Sequence, residues 1–268
     1  MSHMALNFRL VDTPPQRSAI RRNLVISGLV FCCAFAMALS PDALDRPATR
    51  IVNSLANHSW YLDYFVHSAS TYFTFSGIIL MALIWYCWFE SPDTERRARV
   101  LVATLAAIAA GGVSRLLQHN LPTHPRPYYD PALNFQLPLN LDAPSNTWDS
   151  FPSDHVTVFA GLAIVLWAAR SRFAAYAFVG MAIVESFRTY IGAHYPSDLI
   201  AGVALASFAV WLSQLSWPVS VGKKVLLLEQ SSPAAFYAGA FFVSYQIATL
   251  FVDFRHTLGP VRDHILSH

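Results

Sequence analysis

The chain has 268 residues, of which 54% are hydrophobic and only 13% charged, with a formal net charge of +2. A soluble domain usually carries about 25% charged residues, so this chain lacks the polar surface to coat a globule in water. No basic run has the interleaved aromatics of a single-strand nucleic-acid binder. The cysteines Cys32, Cys33 and Cys87 lie in apolar stretches without metal-ligand spacing and read as small hydrophobes.

A spanning helix needs about 20 mostly apolar residues, fewer where it ends in a protein-lined cavity. In chain order, Met1-Ser2-His3-Met4 reads as an expression remnant. Arg17, Arg21 and Arg22 precede a first apolar segment from about Asn23 to Leu39. Pro41, Asp42 and Asp45 follow it in place of a small-residue cleavage site, which favours a span over a cleaved signal. Ser59 to Ser70 has the pattern of a short amphipathic helix at the interface. Segment two runs from about Tyr72 to Phe89 and ends in a charged turn, Glu90 to Arg99. Segment three covers about Val100 to Leu117. A polar, proline-rich stretch with Tyr128, Tyr129, Phe135 and Trp148 then runs from His119 to Phe151 and reads as an ordered lid or an interface anchor. Segments four (about Val156 to Ala169) and five (about Phe173 to Phe187) are joined by a turn with Arg170 and Arg172. Segment six covers about Leu199 to Trp217, with Lys223 and Lys224 after it. A seventh, about Ala234 to Val252, is interrupted by Ser244 and Gln246. These segments predict an all-α, polytopic transmembrane helical bundle. Residues 1–22 would be a cytoplasmic segment, 23–217 a catalytic six-helix core, and 218–268 an extension with an extra span.

Orientation comes from the positive-inside rule. With a cytoplasmic N-terminus, 11 of the 18 Lys and Arg residues fall on that side: Arg9, Arg17, Arg21, Arg22, Arg96, Arg97, Arg99, Arg170, Arg172, Lys223 and Lys224. Arg46, Arg50, Arg115, Arg126, Arg188, Arg255 and Arg262 lie opposite. Arg46 and Arg50 read as snorkelling anchors, and His58, His67, His256 and His264 as solvated histidines.

Three polar clusters then share the outer face. They are His119 to Pro127 after segment three, Phe151 to His155 before segment four, and Glu185 to Asp198 between segments five and six. Their residue types suit phosphoryl transfer. Arg126 and Arg188 are permanent cations with forked donors for phosphate oxygens. Ser153 offers a hydroxyl where a helix begins, and free backbone N–H groups favour an anion there. Asp198, four residues after His194, can accept from one ring nitrogen and leave the other as nucleophile. His155 can protonate a departing alkoxide. Glu185 is an ionisable residue in an apolar span, three before Arg188, and predicts a supporting salt bridge. A zinc site built on His194 and Asp198 with His155, His119 or His124 is the rival reading. Paired arginines repel a cation and welcome an anion, so no metal and no cofactor is expected.

At these residues the sequence resembles the type 2 phosphatidic acid phosphatase family, whose superfamily includes the vanadium haloperoxidases. The family shows Lys, six residues, Arg-Pro; then Pro-Ser-Gly-His; then Ser-Arg, five residues, His, three residues, Asp. Here the second block is Pro152-Ser153-Asp154-His155, and the third is Arg188, five residues, His194, three residues, Asp198. The first ends in Arg126-Pro127. The resemblance implies a six-helix bundle without metal. His194 would be the nucleophile, Asp198 its orienting partner and His155 the general acid. Arg126, Ser153 and Arg188 would hold phosphate, with Asp154 contributing its backbone N–H. Three departures stand out. His119 occupies the Lys position, with Arg115 one turn earlier as a substitute. Asp154 replaces Gly, which leans towards an isoprenoid pyrophosphate. Phe187 separates Ser186 from Arg188.

The expected function is lipid phosphate hydrolysis, best matched by undecaprenyl pyrophosphate, in a bacterial inner membrane with the site facing the periplasm. The partners implied are the lipid substrate and the bilayer. A phosphotransferase with a lipid or glycan acceptor uses the same residues. A non-enzymatic lipid-binding or transport protein and a haloperoxidase are the remaining readings.

Overall fold

The computed structural model describes residues 16–121, 123–140, 149–254 and 257. Trp148, Arg9, Arg255, His256, Arg262, His264 and the N-terminal Met1 to Met4 lie outside the described residues. Helix α6 (Asp154–Ala168) is apolar all round, and its residues from Val156 to Leu166 are buried. A helix without a polar face belongs at the centre of a bundle, and the rest of the fold surrounds it.

Helix α5 (Thr94–Asn120) packs beside α6. Its 27 residues reach about 40 Å at 1.5 Å per residue, enough for a bilayer. The side chain of Asp93 caps its start by accepting from the Arg96 N–H at 2.7 Å. Ala103, Ala107, Ala110, Gly111 and Ser114 give it a buried stripe of small residues. Such a stripe lets helix backbones approach closely in a membrane. A Cβ at Gly161 of α6 would lie 2.5 Å from the Ala107 Cβ. Helix α8 (Pro196–Ser213) packs on α6 from another side, and a Cβ at Gly202 would meet the Ser153 carbonyl oxygen at 2.9 Å. Helix α1 (Arg17–Ala38) runs antiparallel to α8. Ser27 donates to Ser207 at 2.8 Å, and Ala34 and Ala38 meet Phe151 and Ala201. Helix α7 (Ala174–Tyr190) completes the surround of α6.

Helices α3 (Trp60–Thr71) and α4 (Ile79–Glu90) are bent by 64° across a π-helical turn at Thr74–Ile78. A Cβ at Gly77 in this turn would fall 1.9 Å from the carbonyl oxygen of Ala248, so only glycine admits that contact. Ala248 ends α10 (Pro233–Ala248).

By length and composition, α1, α5 and α8 are each able to cross a membrane alone, and α3 with α4 makes a fourth, bent span. Helices α6, α7 and α10 have 15, 17 and 16 residues. All three are shorter than a full span of about 20 residues. The shorter α6 and α7 end in a protein-lined site, where irregular backbone below the membrane surface is tolerated. Two helices lie outside the expected segments. Helix α2 (Asp45–Asn53) follows α1. Helix α9 (Ser216–Ser231) occupies the stretch around Lys223 and Lys224 between segments six and seven. Val219 and Leu226 of α9, and Phe236, Ile247 and Ala248 of α10, join the central core, so residues beyond 217 pack with the same bundle.

The two ends of the bundle carry different polar contacts. At one end Arg96 pairs with Glu90 at 2.8 Å, Arg97 with Glu229 at 3.0 Å, and Arg99 and Lys223 with Glu95 at 2.7 and 2.8 Å. These bonds fasten the α4–α5 turn and α9 together. The C-termini of α5 and α7, the N-termini of α6 and α8, and α2 meet at the other end. Arg46 and Arg50 there are not lipid anchors. Arg46 pairs with Asp130 at 2.7 Å, and Arg50 donates to the Ala132 carbonyl at 2.9 Å. Both tie α2 to the polar segment after α5.

Gly161→Val places two methyl groups and a Cβ against rigid Ala107, and the expected cost is about 1–3 kcal/mol, read as a lower unfolding temperature in detergent.

Candidate active site

The site begins with the first turn of α8. Pro196 sits where a missing N–H costs nothing, and its fixed φ suits helix initiation. Asp198 at the third helical position then reaches back, and its Oδ2 accepts from the Tyr195 N–H at 2.8 Å. The carboxylate is fully buried. The same Oδ2 accepts from the Ser150 hydroxyl and lies 3.4 Å from Nδ1 of His194.

His194 is 1% exposed. Its Nδ1 lies 3.0 Å from the Ser150 carbonyl oxygen as well as near Asp198. Both neighbours are acceptors, so Nδ1 carries the hydrogen and Nε2 presents a lone pair. Nε2 faces Arg126 Nη1 at 3.3 Å. Burial is the largest influence on this ring and pushes its pKa down to about 4; Arg126 and Arg188 push the same way, and Asp198 opposes them. His194 is accordingly a neutral imidazole at physiological pH.

The turn carrying His194 needs a glycine. Gly192 has φ +78, and a Cβ there would strike the Phe135 ring at 2.7 Å. Its carbonyl accepts from the Tyr128 N–H at 3.3 Å, which joins the turn to the segment that carries Arg126. Arg126 is buried and donates to the Ala193 carbonyl at 2.8 Å. Burial pushes its pKa down, and nearby Arg188 adds to this, but a guanidinium stays charged. Arg188 is anchored by Glu185, whose Oε2 accepts from its Nε at 3.2 Å. One helix face thus aims the guanidinium towards the site.

Ser153 caps α6, its Oγ accepting from the Val156 N–H at 3.4 Å, and its own N–H donates to the Asp198 carbonyl at 3.2 Å. The peptide bond before Pro152 is cis. His155 follows in the first turn and remains partly exposed. Its Nδ1 lies 3.1 Å from Asp154 Oδ1, which also accepts the His155 backbone N–H at 2.9 Å. The side chain of Asp154 therefore holds His155, a role separate from the backbone contact expected of it. Asp154 Oδ2 is 3.9 Å from Arg115 Nη1. Arg115 also donates to Gln118 at 2.5 Å, and Gln118 donates to the Ser150 and Pro152 carbonyls at 3.2 and 3.0 Å. His119 is half-exposed and turned to Asp149, with Nδ1 3.0 Å from its Oδ2. Of the two candidates for the Lys position, Arg115 is the one tied to the His155 side of the site.

Several residues of this site were not anticipated. Ser150 gives His194 and Asp198 a partner each. Asp45 of α2 accepts from the Ser197 N–H at 3.0 Å and its hydroxyl at 2.5 Å. Asp130 bridges Arg46 and the Tyr195 hydroxyl, both at 2.7 Å. A serine beside a motif and isolated aspartates after a helix are common, and no local spacing marks them. Among the described residues, no three His, Cys, Asp or Glu side chains are grouped so as to hold a metal ion.

Residues 99–220 match the family model of the PAP2 superfamily. The matched segment makes up a little under half of the chain. It contains α6, α7, α8 and nearly all of α5, and so every residue named above as contacting His194. Undecaprenyl-diphosphatase BcrC of Bacillus subtilis is 28% identical over 158 residues, covering 59% of this chain and 76% of that protein. An undecaprenyl-diphosphatase of Sulfolobus acidocaldarius is 30% identical over 132 residues, 49% of this chain and 58% of the relative. The lipid A 4'-phosphatase of Bacteroides thetaiotaomicron is 42% identical over 64 residues, 23% of this chain and 28% of that one. No solved structure shows a significant match. Over these stretches the chain is similar to phosphatases, and its helices form a bundle with spans long and apolar enough to cross a membrane.

Glu185→Gln removes the charge that anchors Arg188 in a buried pair. The expected loss is about 1–3 kcal/mol of stability, together with weaker binding of phosphate. Chemical unfolding in detergent and phosphate titration check the two effects separately.

Proposed function

We propose that the protein is an integral membrane lipid phosphatase that takes the terminal phosphate from a polyprenyl pyrophosphate, undecaprenyl pyrophosphate foremost. The observation that carries this reading is the state of His194. It is buried and neutral, with Nδ1 held by two acceptors and Nε2 facing a guanidinium. That is a nitrogen nucleophile with an anion's counter-charge beside it.

The chemistry follows from these placements. Arg126, Arg188 and the N-terminus of α6 with Ser153 hold the phosphoryl oxygens and stabilise charge on them in the transition state. The Nε2 lone pair of His194 forms a bond to phosphorus as the bond to the lipid-side bridging oxygen breaks. His155 gives its proton to that oxygen. The phosphohistidine is then attacked by water, whose proton returns to His155, and orthophosphate leaves. The lipid departs with one phosphate fewer. Asp198 keeps the His194 ring oriented through both steps.

A lipid substrate is supported by a cavity of about 370 Å³ between α1, α7 and α8, lined by Val30, Phe178, Met181, Ile200 and Val203 with Glu185 at its polar edge. Its apolar walls suit a hydrocarbon chain beside the phosphate site. The pyrophosphate preference rests on the undecaprenyl-diphosphatases among the relatives and on Asp154 in place of glycine. The site lies at the end of the bundle opposite the cationic cluster of Arg96, Arg97, Arg99 and Lys223, which supports a periplasmic site through the positive-inside rule.

The direct test is phosphate release in detergent from undecaprenyl pyrophosphate, phosphatidic acid, phosphatidylglycerophosphate and a lipid A phosphate. The purified protein releases phosphate, fastest from the pyrophosphate, and His194→Ala lowers the rate by about 10⁴-fold or more. Vanadate inhibits by mimicking the five-coordinate transition state, and EDTA leaves the rate unchanged. Phosphate retained on a second lipid without free release would replace hydrolysis by transfer. The pH profile is a further check. Because only neutral His194 attacks and its pKa is lowered, activity persists as pH falls through the ordinary histidine range, and the acid limb of kcat/KM centres at about 4.

A further inference from the structure

Asp198 has two oxygens, and the geometry above uses only one. Its Oδ2 serves Tyr195, Ser150 and His194. Among the described residues, its Oδ1 has no hydrogen-bond partner although it is buried, and the same is true of Nε2 of His124. These two atoms face each other at 3.6 Å. A buried carboxylate oxygen without a donor is costly. A ring nitrogen directed at it from just beyond hydrogen-bond length is the natural donor.

We propose that His124 is a positioning residue for the reaction: it holds the second oxygen of Asp198 and so sets the orientation and basicity of His194. The inference rests on the assignment of His194 as nucleophile.

The surroundings of His124 fit this role. Its ring is almost fully buried, and it packs edge-on against Tyr195 with centroids 4.5 Å apart and planes at 80°. Its Nδ1 lies 3.2 Å from the Pro125 carbonyl; a neutral ring donates from one nitrogen only, and the two buried carboxylates at Nε2 make that the nitrogen that carries the hydrogen. From α2, Asp45 Oδ2 stands 4.0 Å from Nε2. From α8, Asp198 presents Oδ1, and Ser197 is already taken up by Asp45. Beyond Tyr195, its hydroxyl meets Asp130, which Arg46 neutralises. Arg126, two residues along the same segment, points to the other side of Asp198, at His194 and the Ala193 carbonyl. The acceptors around Nε2 are thus two buried carboxylates, and His124 is the donor that faces both. A donor on Oδ1 draws charge away from Oδ2. That weakens the pull of Asp198 on the His194 Nδ1 proton and keeps His194 neutral. The order His124–Asp198–His194 forms a line in which the outer histidine tunes the inner one, as partners of a ligating or catalytic histidine commonly do.

The test compares His124→Ala and His124→Gln with the wild type, using phosphate release and the NMR titration of His194 in ¹⁵N-histidine-labelled protein. In His124→Ala, the unshared charge of Asp198 favours the imidazolium of His194. The titration midpoint of His194 and the acid limb of kcat/KM therefore move up together. We expect kcat to fall roughly 10–100-fold with KM little changed. His124→Gln can place an amide N–H at the same oxygen and recovers most of kcat. In an Asp198→Asn background His124→Ala has little further effect, because the two act as a unit. An unmoved His194 midpoint in both His124 variants overturns the proposal, as does a loss confined to thermal stability or KM. The titration needs no turnover. A wild type that releases no phosphate would therefore defeat the phosphatase reading alone.

Discussion

Asp198 is a carboxylate with no exposure to solvent, and the surrounding structure is arranged to satisfy it. Burying an anion is costly unless donors are supplied. The donors here come from two stretches: Tyr195 and His194 in the turn just before α8, and Ser150 at the end of the long polar segment, 48 residues away. Because a single side chain binds all of them, the first turn of α8, the approach to α6 and the α7–α8 turn are fixed relative to one another. The position of His194 is a consequence of that closure. The Ser153 N–H on the Asp198 carbonyl and the glycine contact at Gly202 bring the N-termini of α6 and α8 together at the same point. Two helix N-termini and two arginines then surround one small volume, which makes it a place for an anion.

Packing explains why this point lies at one end of the bundle. The small-residue face of α5 and the glycines of α6 and α8 bring three helices into close contact around an apolar α6. Such a core leaves no room for polar groups along its length, so they collect where the helices end. At the opposite end the ion pairs of Glu90, Glu95 and Glu229 fasten the α4–α5 turn to α9. Those pairs are partly exposed and stabilise modestly, but they keep the cationic loops on one side.

The helices and the three motif blocks were legible in the sequence because both are local patterns. Apolar runs define spans, and Arg188, His194 and Asp198 are close enough along the chain that one turn and one helix start bring them together. The same holds for Glu185 and Arg188, three residues apart on a helix. The remaining contacts were not legible, because they join distant positions: 48 residues separate Ser150 from Asp198, 65 separate Asp130 from Tyr195, and 152 separate Asp45 from Ser197. Arg46 read as a lipid anchor because Asp130, its partner, lies 84 residues away. Helix α9 was hidden by Pro218 and Gly222, which usually punctuate loops. Gly222 is there because α9 lies on α5, where a Cβ would meet the Ala98 carbonyl at 2.9 Å.

Two of the three departures from the family pattern, at positions 119 and 154, are linked by this geometry. Where the pattern has lysine, the chain has His119, which turns outward to Asp149. Where it has glycine, the chain has Asp154, and its carboxylate lies against His155 and within 3.9 Å of Arg115. An added anion beside a phosphate would weaken binding if it stood alone. Here its charge falls on the histidine proposed to deliver a proton, and Arg115 compensates it from one helical turn before the lysine position. The cation displaced from position 119 and the anion added at position 154 therefore offset each other. His155 gains an orienting carboxylate that glycine cannot provide.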